Sequence, residues 1–361
     1  MFERRLFFHI DWLLIAAILA LCGIGVAMIS STTGPGDGRA LTQLYAIAIG
    51  LAAFAVCLRF DYRTLADSSH VIYAALIGLL LYVLFFGNVV FGARRWIDLG
   101  FYNLQPSEFA KLALALMLAK FFDESRRGNP KGSDLLVAGL LTALPMLLIA
   151  RQPDLGTAVT LVPVFLGVAY LAGMRLRLIG VMLVIGVLAT PVVWKYGLQE
   201  YQRSRISTFI NPSQDARGAG YQQIQARITV GSGGVWGKGY RQGTQGQLRF
   251  LPVAHNDFIF SVLAEEQGLV GVLVTLGLYL FVILRSIQTA MLARDRLGAF
   301  LVVGILAAFV FQVIYNVTMS AGLAPVKGLT LPLMSYGGSS VIATLAGFGL
   351  IVNVRMRRFT N

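Results

Sequence analysis

The stretch LPVAHNDFIFSVLAEEQG, residues 251–268, joins a long polar segment to the next apolar block of the chain. It holds three acids, Asp257, Glu265 and Glu266, although only 13% of the chain is charged and 57% is apolar. A carboxylate at the edge of a membrane span is costly unless it is paired or hydrated, and it is a functional candidate by default. The apolar blocks around this stretch should therefore set the fold, and its acids should mark a site.

The apolar share of the chain, 57%, exceeds the roughly 45–50% of soluble proteins. A bilayer core needs about 20 residues per helix. We therefore predict an all-α polytopic membrane protein with about ten transmembrane helices in a single domain, residues 1–361. The candidate spans are residues 11–31, 41–58, 70–90, 105–122, 134–150, 156–172, 177–195, 267–285, 298–320 and 331–354.

The basic residues predict the orientation of these helices. With the N-terminus in the cytoplasm, 16 Lys and Arg residues fall on the cytoplasmic side and five in the short loops opposite. This asymmetry places both termini in the cytoplasm. Residues 195–256 then form a long extracytoplasmic loop between helices 7 and 8. Long loops translocate regardless of their charge, and loops of such length are usually functional.

Several classes of function are disfavoured by the composition. The net charge of +13 is accounted for by basic residues at cytoplasmic helix ends, so we expect no nucleic-acid partner. Cys22 and Cys57 lie in apolar runs without metal-like spacing. Lys238 follows Gly237, as in a phosphate-binding P-loop. That motif also requires Gly six residues before the Lys and Ser or Thr directly after it, but this chain has Ser232 and Gly239 at those positions. We interpret this glycine-rich run as a tightly turned outer loop.

Residues 92–112, GARRWIDLGFYNLQPSEFAKL, hold a charged pair at the start of a predicted helix. Glu108 and Lys111 are three apart, so they share a helix face and can pair. The pair either fixes helix packing or contacts a substrate. Arg94 and Arg95 lie on the outer side, where they can bind phosphate or simply face solvent.

Two further stretches contribute polar groups on the outer side. Asp154, in a short turn between two predicted helices, can cap the second helix or face an outer cavity as a second acid. Residues 331–340, LPLMSYGGSS, interrupt an apolar segment with Ser335, Gly337 and Gly338. Interrupted membrane helices line cavities because their backbone groups must be satisfied; the alternative is a kink that serves packing.

Asp257 lies two residues from His255, but a metal site would need more ligands, and no nucleophile elbow is present. Asp257 is therefore interpreted as a base or as half of a cation site.

Taken together, five motifs resemble the SEDS family (shape, elongation, division and sporulation). QPSEFAKL (105–112), QPDLGTA (152–158), GSGGVWGKG (231–239), HNDFIFSVLAEEQG (255–268) and LPLMSYGGSS (331–340) follow the family's order and cover essentially the whole chain. Residues 243–252, GTQGQLRFLP, are more similar to the RodA (elongation) branch than to the FtsW (division) branch.

The resemblance implies a peptidoglycan glycosyltransferase with ten helices in the bacterial cytoplasmic (inner) membrane. Such enzymes polymerise lipid II, a disaccharide peptide on undecaprenyl pyrophosphate, into glycan strands at the outer, periplasmic face. They work with a class B penicillin-binding protein that crosslinks the strands. The family's essential acid matches Asp257, its QPSE..K pair matches Glu108 and Lys111, and the acid of QPDLG matches Asp154.

The chain departs from the family pattern at Asn256, at Asn103–Leu104 and at Lys327, which stands where Thr is usual. These departures bear on the cations that meet the pyrophosphate. On their charge and outer-side position, the candidates are Arg94, Arg95, Lys111, Lys238 and Arg241, with Mg²⁺ or Mn²⁺ as an alternative source of positive charge.

Three other functions compete with this interpretation. A lipid II flippase could use the same acids, but the candidate residues lie on the outer side rather than at the bilayer midplane. A scaffold for the crosslinking partner would leave Asp257 without a purpose. A division enzyme of the FtsW type would perform the same chemistry in another cell-wall machine.

Overall fold

The computed structural model describes residues 9–33, 37–90, 93–98, 100, 103–125, 130–197, 200–212, 215, 218–247, 250–251 and 254–359. Each of the ten predicted spans overlaps a helix. The helices are α1 (Trp12–Thr32), α2 (Arg39–Arg59), α3 (Tyr62–Asp67), α4 (Ser69–Phe86), α5 (Pro106–Glu124), α6 (Gly132–Arg151), α7 (Leu155–Leu171), α8 (Leu176–Val192), α9 (Glu200–Ile210), α10 (Ala219–Ser232), α11 (Thr244–Gln247), α12 (Ile259–Met291), α13 (Arg296–Ser320) and α14 (Gly338–Met356).

Seven helices in the described part of the chain are long and apolar enough to cross a membrane: α1, α2, α4, α6, α12, α13 and α14. Helices α7 and α8 are apolar but shorter. Helix α5 is long enough but carries charges, including Glu108 and Lys111. The chain is thus a polytopic, mostly helical membrane protein, whereas the number of ten spans stays a prediction. Four residues used to predict its orientation, Arg4, Arg5, Arg126 and Arg127, lie outside the described residues.

A small antiparallel sheet follows α4, where the sequence predicted a helix to residue 90. Its strands are β1 (Asn88–Val90), β2 (Ala93–Asp98) and β3 (Asn103–Leu104), in the order β1-β2-β3. Asn88 pairs with Trp96, and Ile97 pairs with Leu104. Helix α4 ends at Phe86, before this segment, and strand pairing satisfies backbone groups of a loop that no longer continues as a helix.

The predicted outer loop, residues 195–256, contains three helices rather than an irregular chain. A π-helical turn, Val193–Gly197, extends α8, and α9, α10 and α11 follow. These helices are too short or too polar to span a bilayer, and they satisfy backbone groups within their own turns. They bring side chains of the loop, such as Arg205 on α9, back toward the helix bundle.

The last two long helices form the centre of the bundle. Within the apolar window of each span, 89% of α14 and 67% of α13 are buried, against 22–44% for the other five spans. The outward-facing residues of the peripheral helices are large and apolar, as expected for a surface that meets lipid. The loop between α13 and α14 therefore emerges at the middle of one end of the molecule, where the candidate site lies.

Candidate active site

Asp257 lies in a turn immediately before α12 and is half-buried. Asn316, a buried residue of α13, holds this turn in place. Its side-chain amide donates to the Asp257 carbonyl at 2.9 Å and to the Leu329 carbonyl at 2.7 Å. One amide thus fixes both the turn with the candidate base and the loop between α13 and α14.

The same loop passes directly beside the Asp257 carboxylate. Gly328 has φ +68°, and a Cβ at its position would lie 3.6 Å from Asp257 Oδ2. The left-handed φ favours glycine at this position. Gly328 thus lets the loop between α13 and α14 lie close to the carboxylate.

Burial raises the pKa of Asp257 from 3.8 to about 6. Arg205 and Arg95 counteract this shift, whereas the carboxylate of Asp154 adds to it. A base with a pKa near 6 is still ionised at neutral pH and binds a proton more strongly than an ordinary aspartate does. The carboxylate thus has the protonation behaviour that general-base chemistry requires.

Asp154 caps α7, as the sequence predicted. Its carboxylate accepts from the Thr157 amide at 3.1 Å and from the Thr157 hydroxyl at 3.0 Å. Gln105 Nε2 also donates to it, at 3.0 Å. Burial raises the pKa of Asp154, and Arg95 opposes the shift. Since Asp154 also acts on the pKa of Asp257, it is both a helix cap and a second acid near the candidate base.

Arg94 and Arg95 bond to backbone carbonyls. Arg95 donates through Nε to the Gln152 carbonyl at 3.0 Å, and through Nη2 to the Pro153 carbonyl. Exposed Arg94 donates to the Phe85 carbonyl at 3.0 Å. Arg95 thereby holds the turn that presents Asp154, and it remains close enough to influence Asp257.

Glu108 and Lys111 form the predicted pair at a distance of 2.8 Å and are 6% and 5% exposed. Lys111 Nζ also donates to Gln312 Oε1 of α13 at 3.0 Å. The pair thus joins α5 to α13 inside the bundle.

Residues 331–337 are not helical, so the predicted span 331–354 begins only at Gly338. Ser335 Oγ accepts from the Leu331 amide at 2.8 Å. Buried Gln43 of α2 donates to the Ser335 carbonyl at 3.1 Å and accepts from the Gly337 amide at 3.3 Å. Side chains thus satisfy backbone groups that an uninterrupted helix would have satisfied itself.

His255 lies at the same end of the molecule as Asp257, but its pKa is shifted in the opposite direction. Its ring packs edge-on against Tyr336, with centroids 5.7 Å apart. Arg39 Nη1 lies 3.2 Å from its Nε2. Burial, and then Arg39, lower the pKa of His255 to about 4. At neutral pH the ring is uncharged, so it does not serve as a cation for a phosphate.

The glycine-rich segment, residues 231–239, packs against a break in α12. Gly268 has φ 64° and ψ −165°, which interrupts the helix. Helix ends leave carbonyl and amide groups without partners. The amides of Lys238 and Gly239 donate to the carbonyls of Glu265 and Glu266, each at 2.9 Å. The sequence left Glu265 and Glu266 open, and the structure places them on the short helix before the break.

The first amides of the second half of α12 also find partners in the glycine-rich segment. The amides of Leu269 and Val270 donate to the carbonyls of Gly234 and Val235, at 3.0 and 3.2 Å. A Cβ on Gly233 would lie 1.9 Å from the Ala264 carbonyl oxygen. The glycines of this segment thus allow two backbones to approach closely, and the segment is a structural support.

Side chains of this segment also have protein partners. Lys238 forms a 2.6 Å salt bridge with Glu265, whose side chain is fully buried, and donates to Thr244 at 2.9 Å. Arg241 donates to the Ser30 carbonyl at the end of α1 at 3.2 Å. Lys238 and Arg241 therefore join the loop to α12 and α1.

Asp257 and Asp154 are acids of this site that can serve as ligands for a divalent cation. Among the residues that the structure describes, no three or more His, Cys, Asp and Glu side chains cluster to hold a metal. Mg²⁺ commonly uses one or two carboxylates together with substrate phosphates. Asp257 and Asp154 fit that pattern only if the substrate completes the coordination.

Sequence reasoning missed three residues around Asp257: Arg205, Asn316 and Gly328. Arg205 was one of eight basic residues in the outer loop, and no spacing distinguished it from the others. Asn316 was one of a few polar residues within an apolar span, which also holds Gln312, and this is a weak signal for a buried hydrogen bond. Gly328 carries no pattern of its own.

Comparisons with known proteins show the family of this chain. The model of the FtsW, RodA and SpoVE family, described as cell cycle protein, matches residues 5–359. A peptidoglycan glycosyltransferase MrdB of Escherichia coli K12 is 39% identical over 350 residues, which cover 97% of this chain and 94% of that protein. A peptidoglycan glycosyltransferase RodA of Treponema pallidum is 33% identical over 424 residues, covering 96% and 98%.

Solved structures match over nearly the whole length. A chain in a peptidoglycan synthase complex, described for its coordination of polymerization and crosslinking, superposes with a TM-score of 0.84 at 33% identity, covering 98% of this chain and 99% of that one. The Rod shape determining protein RodA of Thermus thermophilus gives 0.74 at 31% identity, covering 98% of both. The chain therefore belongs to the SEDS family, the group of FtsW, RodA and SpoVE.

Proposed function

We propose that this chain polymerises lipid II with Asp257 as the general base. The chain is a peptidoglycan glycosyltransferase of the elongation type, as the matches to MrdB and RodA support over nearly their full lengths. The observation that carries the mechanism is the half-buried carboxylate of Asp257, whose pKa burial raises to about 6, beside the loop between α13 and α14.

The reaction is a single displacement at the anomeric carbon of the sugar donor. The 4-hydroxyl of the acceptor sugar attacks this carbon and gives its proton to Asp257. The bond from the carbon to the phosphate oxygen breaks, and its electron pair leaves with undecaprenyl pyrophosphate. One displacement inverts the anomeric centre, and a positioned base contributes roughly 10²–10⁴-fold to the rate.

The departing pyrophosphate gains negative charge and needs positive charge nearby. Arg95 is the best placed of the cations proposed from sequence, since it influences Asp257 directly. Lys111 and Lys238 are neutralised by acids, and Arg94 and Arg241 bond to backbone carbonyls, as Arg95 also does. We assign these four cations supporting roles. Asp154 and the turn with Ser335, Gly337 and Gly338 complete the proposed wall of the site.

We place this site at the outer, periplasmic face of the bacterial inner membrane. The excess of basic residues on the opposite side supports this orientation. We further propose a class B penicillin-binding protein as the partner. The superposition on a chain from a peptidoglycan synthase complex supports such an assembly.

The decisive test is polymerisation of purified lipid II by the Asp257→Asn variant. We expect loss of glycan strands, by at least 10² in rate, with the thermal unfolding temperature of the variant close to that of the wild type. Strands made at the wild-type rate by a folded variant would refute the assignment of the base.

A further inference from the structure

We propose that Arg205 and Lys327 bind the pyrophosphate group that leaves the sugar donor. This inference rests on the proposed function and assigns two residues of the long outer loop and of the last outer loop to the same site. Neither belongs to the motifs by which the chain resembles its family, and Lys327 stands where Thr is usual.

Arg205 reaches the site from α9. Its Nη1 donates to the Val326 carbonyl at 3.1 Å, immediately before Lys327 in the chain. An Arg side chain has five N–H donors in a planar fork that matches two phosphate oxygens. Arg205 also lowers the pKa of Asp257, so its charge lies close to the base.

The backbone of Lys327 is fixed against the start of α7. A Cβ on Gly156 would lie 3.0 Å from the Lys327 carbonyl oxygen. The next residue, Gly328, lies beside Asp257 Oδ2. The half-buried Lys327 side chain forms no salt bridge within the described part of the chain. Burial, and then Arg205, lower the pKa of Lys327.

Two partly buried cations that repel each other are costly unless an anion joins them. Two other lysines proposed from sequence have acidic partners: Lys238 pairs with Glu265, and Lys111 with Glu108. Arg205 instead acts on a carboxylate that must stay available as a base, and Lys327 immediately precedes the glycine that lies beside this carboxylate. A pyrophosphate fits because it brings two or more negative charges and several acceptor oxygens.

The development of charge during the reaction explains why the leaving group, rather than the acceptor, is assigned to this site. Negative charge grows on the leaving pyrophosphate as the carbon–oxygen bond breaks, so cations there raise kcat. The pyrophosphate of the acceptor keeps its charge throughout the reaction. Cations at that group would change KM alone.

The first test compares Arg205→Gln and Lys327→Gln with Arg203→Gln in polymerisation of lipid II. Arg203 lies on the same helix and donates to the Lys195 carbonyl at 2.8 Å, so its variant controls for charge and for α9. We expect kcat to fall about 10²–10³-fold for Arg205→Gln and about tenfold for Lys327→Gln, and to stay unchanged for Arg203→Gln. A rise in KM without a fall in kcat would overturn the assignment to the leaving group.

The second test measures binding of inorganic pyrophosphate by calorimetry, independently of catalysis. We use the Asp257→Asn background, where binding should be tighter than in the wild type because a neighbouring negative charge is gone. Lys327→Gln in that background should weaken binding at least tenfold, and Lys327→Arg should restore it. Equal affinity with and without the Lys327 charge would overturn the proposal.

Two further comparisons distinguish a pyrophosphate site from a lipid headgroup site, and a failure of this proposal from a failure of the proposed function. Micelles with phosphatidylglycerol should not compete with pyrophosphate; full competition would mean a lipid headgroup site and would overturn the proposal. Loss of pyrophosphate binding in Lys327→Gln would support the anion site even if the wild-type chain made no polymer. A wild-type chain that binds pyrophosphate through Lys327 but makes no polymer would refute only the proposed function.

Discussion

Asp257 is distinguished from the other acids of the chain by its surroundings rather than by its residue type. Asp154 caps a helix and Glu265 is neutralised by Lys238. Asp257 is half-buried, and two arginines and one carboxylate act on its ionisation. Sequence predicted it to be a base or a cation ligand, but its raised pKa comes from burial in the folded chain, which arginines of the long outer loop and of β2 partly offset.

The pKa of Asp257 predicts an acid limb in the activity. A general base must be deprotonated, and burial raises the pKa of this carboxyl to about 6. We expect kcat/KM to fall about tenfold per pH unit below that value. An ordinary aspartate would sustain activity down to about pH 4. Rates from pH 4.5 to 8 would show the limb, with unfolding temperatures over the same range as the control for acid unfolding.

Glu108 and Lys111 form a buried pair, so we expect a change of one charge to lower the stability of the fold and a compensating change of the other to restore it. Lys111→Met leaves the Glu108 charge buried without its partner, which costs about 3–5 kcal/mol. Reversal of both charges should restore much of the stability and activity, because the pair joins α5 to α13. Thermal unfolding in detergent and polymerisation assays measure the two effects. A stable but inactive double variant would instead mean that one of these residues contacts the substrate.

At the scale of elements, two apolar segments near the candidate site are not continuous helices: α12 is broken at Gly268, and residues 331–337 precede α14 as a turn. The sequence predicted spans starting at residues 267 and 331, but α12 starts at Ile259 and α14 at Gly338. In both cases the extra backbone groups are satisfied by another segment: the glycine-rich loop for α12 and Gln43 for the 331–337 turn. Local sequence revealed the breaks, but not the partners that make them stable.

The glycine-rich loop predicts a sharp contrast between two alanine substitutions. At Gly233 the new Cβ would lie 1.9 Å from the Ala264 carbonyl oxygen, whereas at Gly231, on α10, nothing lies within 4 Å. We expect Gly233→Ala to lose about 1–3 kcal/mol of stability. Gly231→Ala should be neutral or slightly stabilising, because alanine favours a helix. Unfolding temperatures of the two purified variants would decide; equal values would exclude the close backbone contact.

At the scale of the whole molecule, orientation is the property that remains to be measured. Trp236 lies on the glycine-rich loop and Met291 at the far end of α12, and they are 80% and 81% exposed. In a Cys22→Ala, Cys57→Ala background, we expect a membrane-impermeant maleimide to label Trp236→Cys in intact spheroplasts. Met291→Cys should react only after permeabilisation. The opposite pattern would invert the predicted topology and place Asp257 in the cytoplasm.

The sequence by itself determined the class of fold, because long apolar blocks are stable only as membrane helices, and it identified Asp257, Asp154 and the Glu108–Lys111 pair. A single domain and ten spans stay predictions. Only the tertiary structure brought Arg205, Asn316 and the loop with Lys327 to the turn of Asp257, since each of these residues is separated from Asp257 along the chain by 52 residues or more. Their proximity follows from packing of α9, α12 and α13, and no local pattern encodes contacts over such separations.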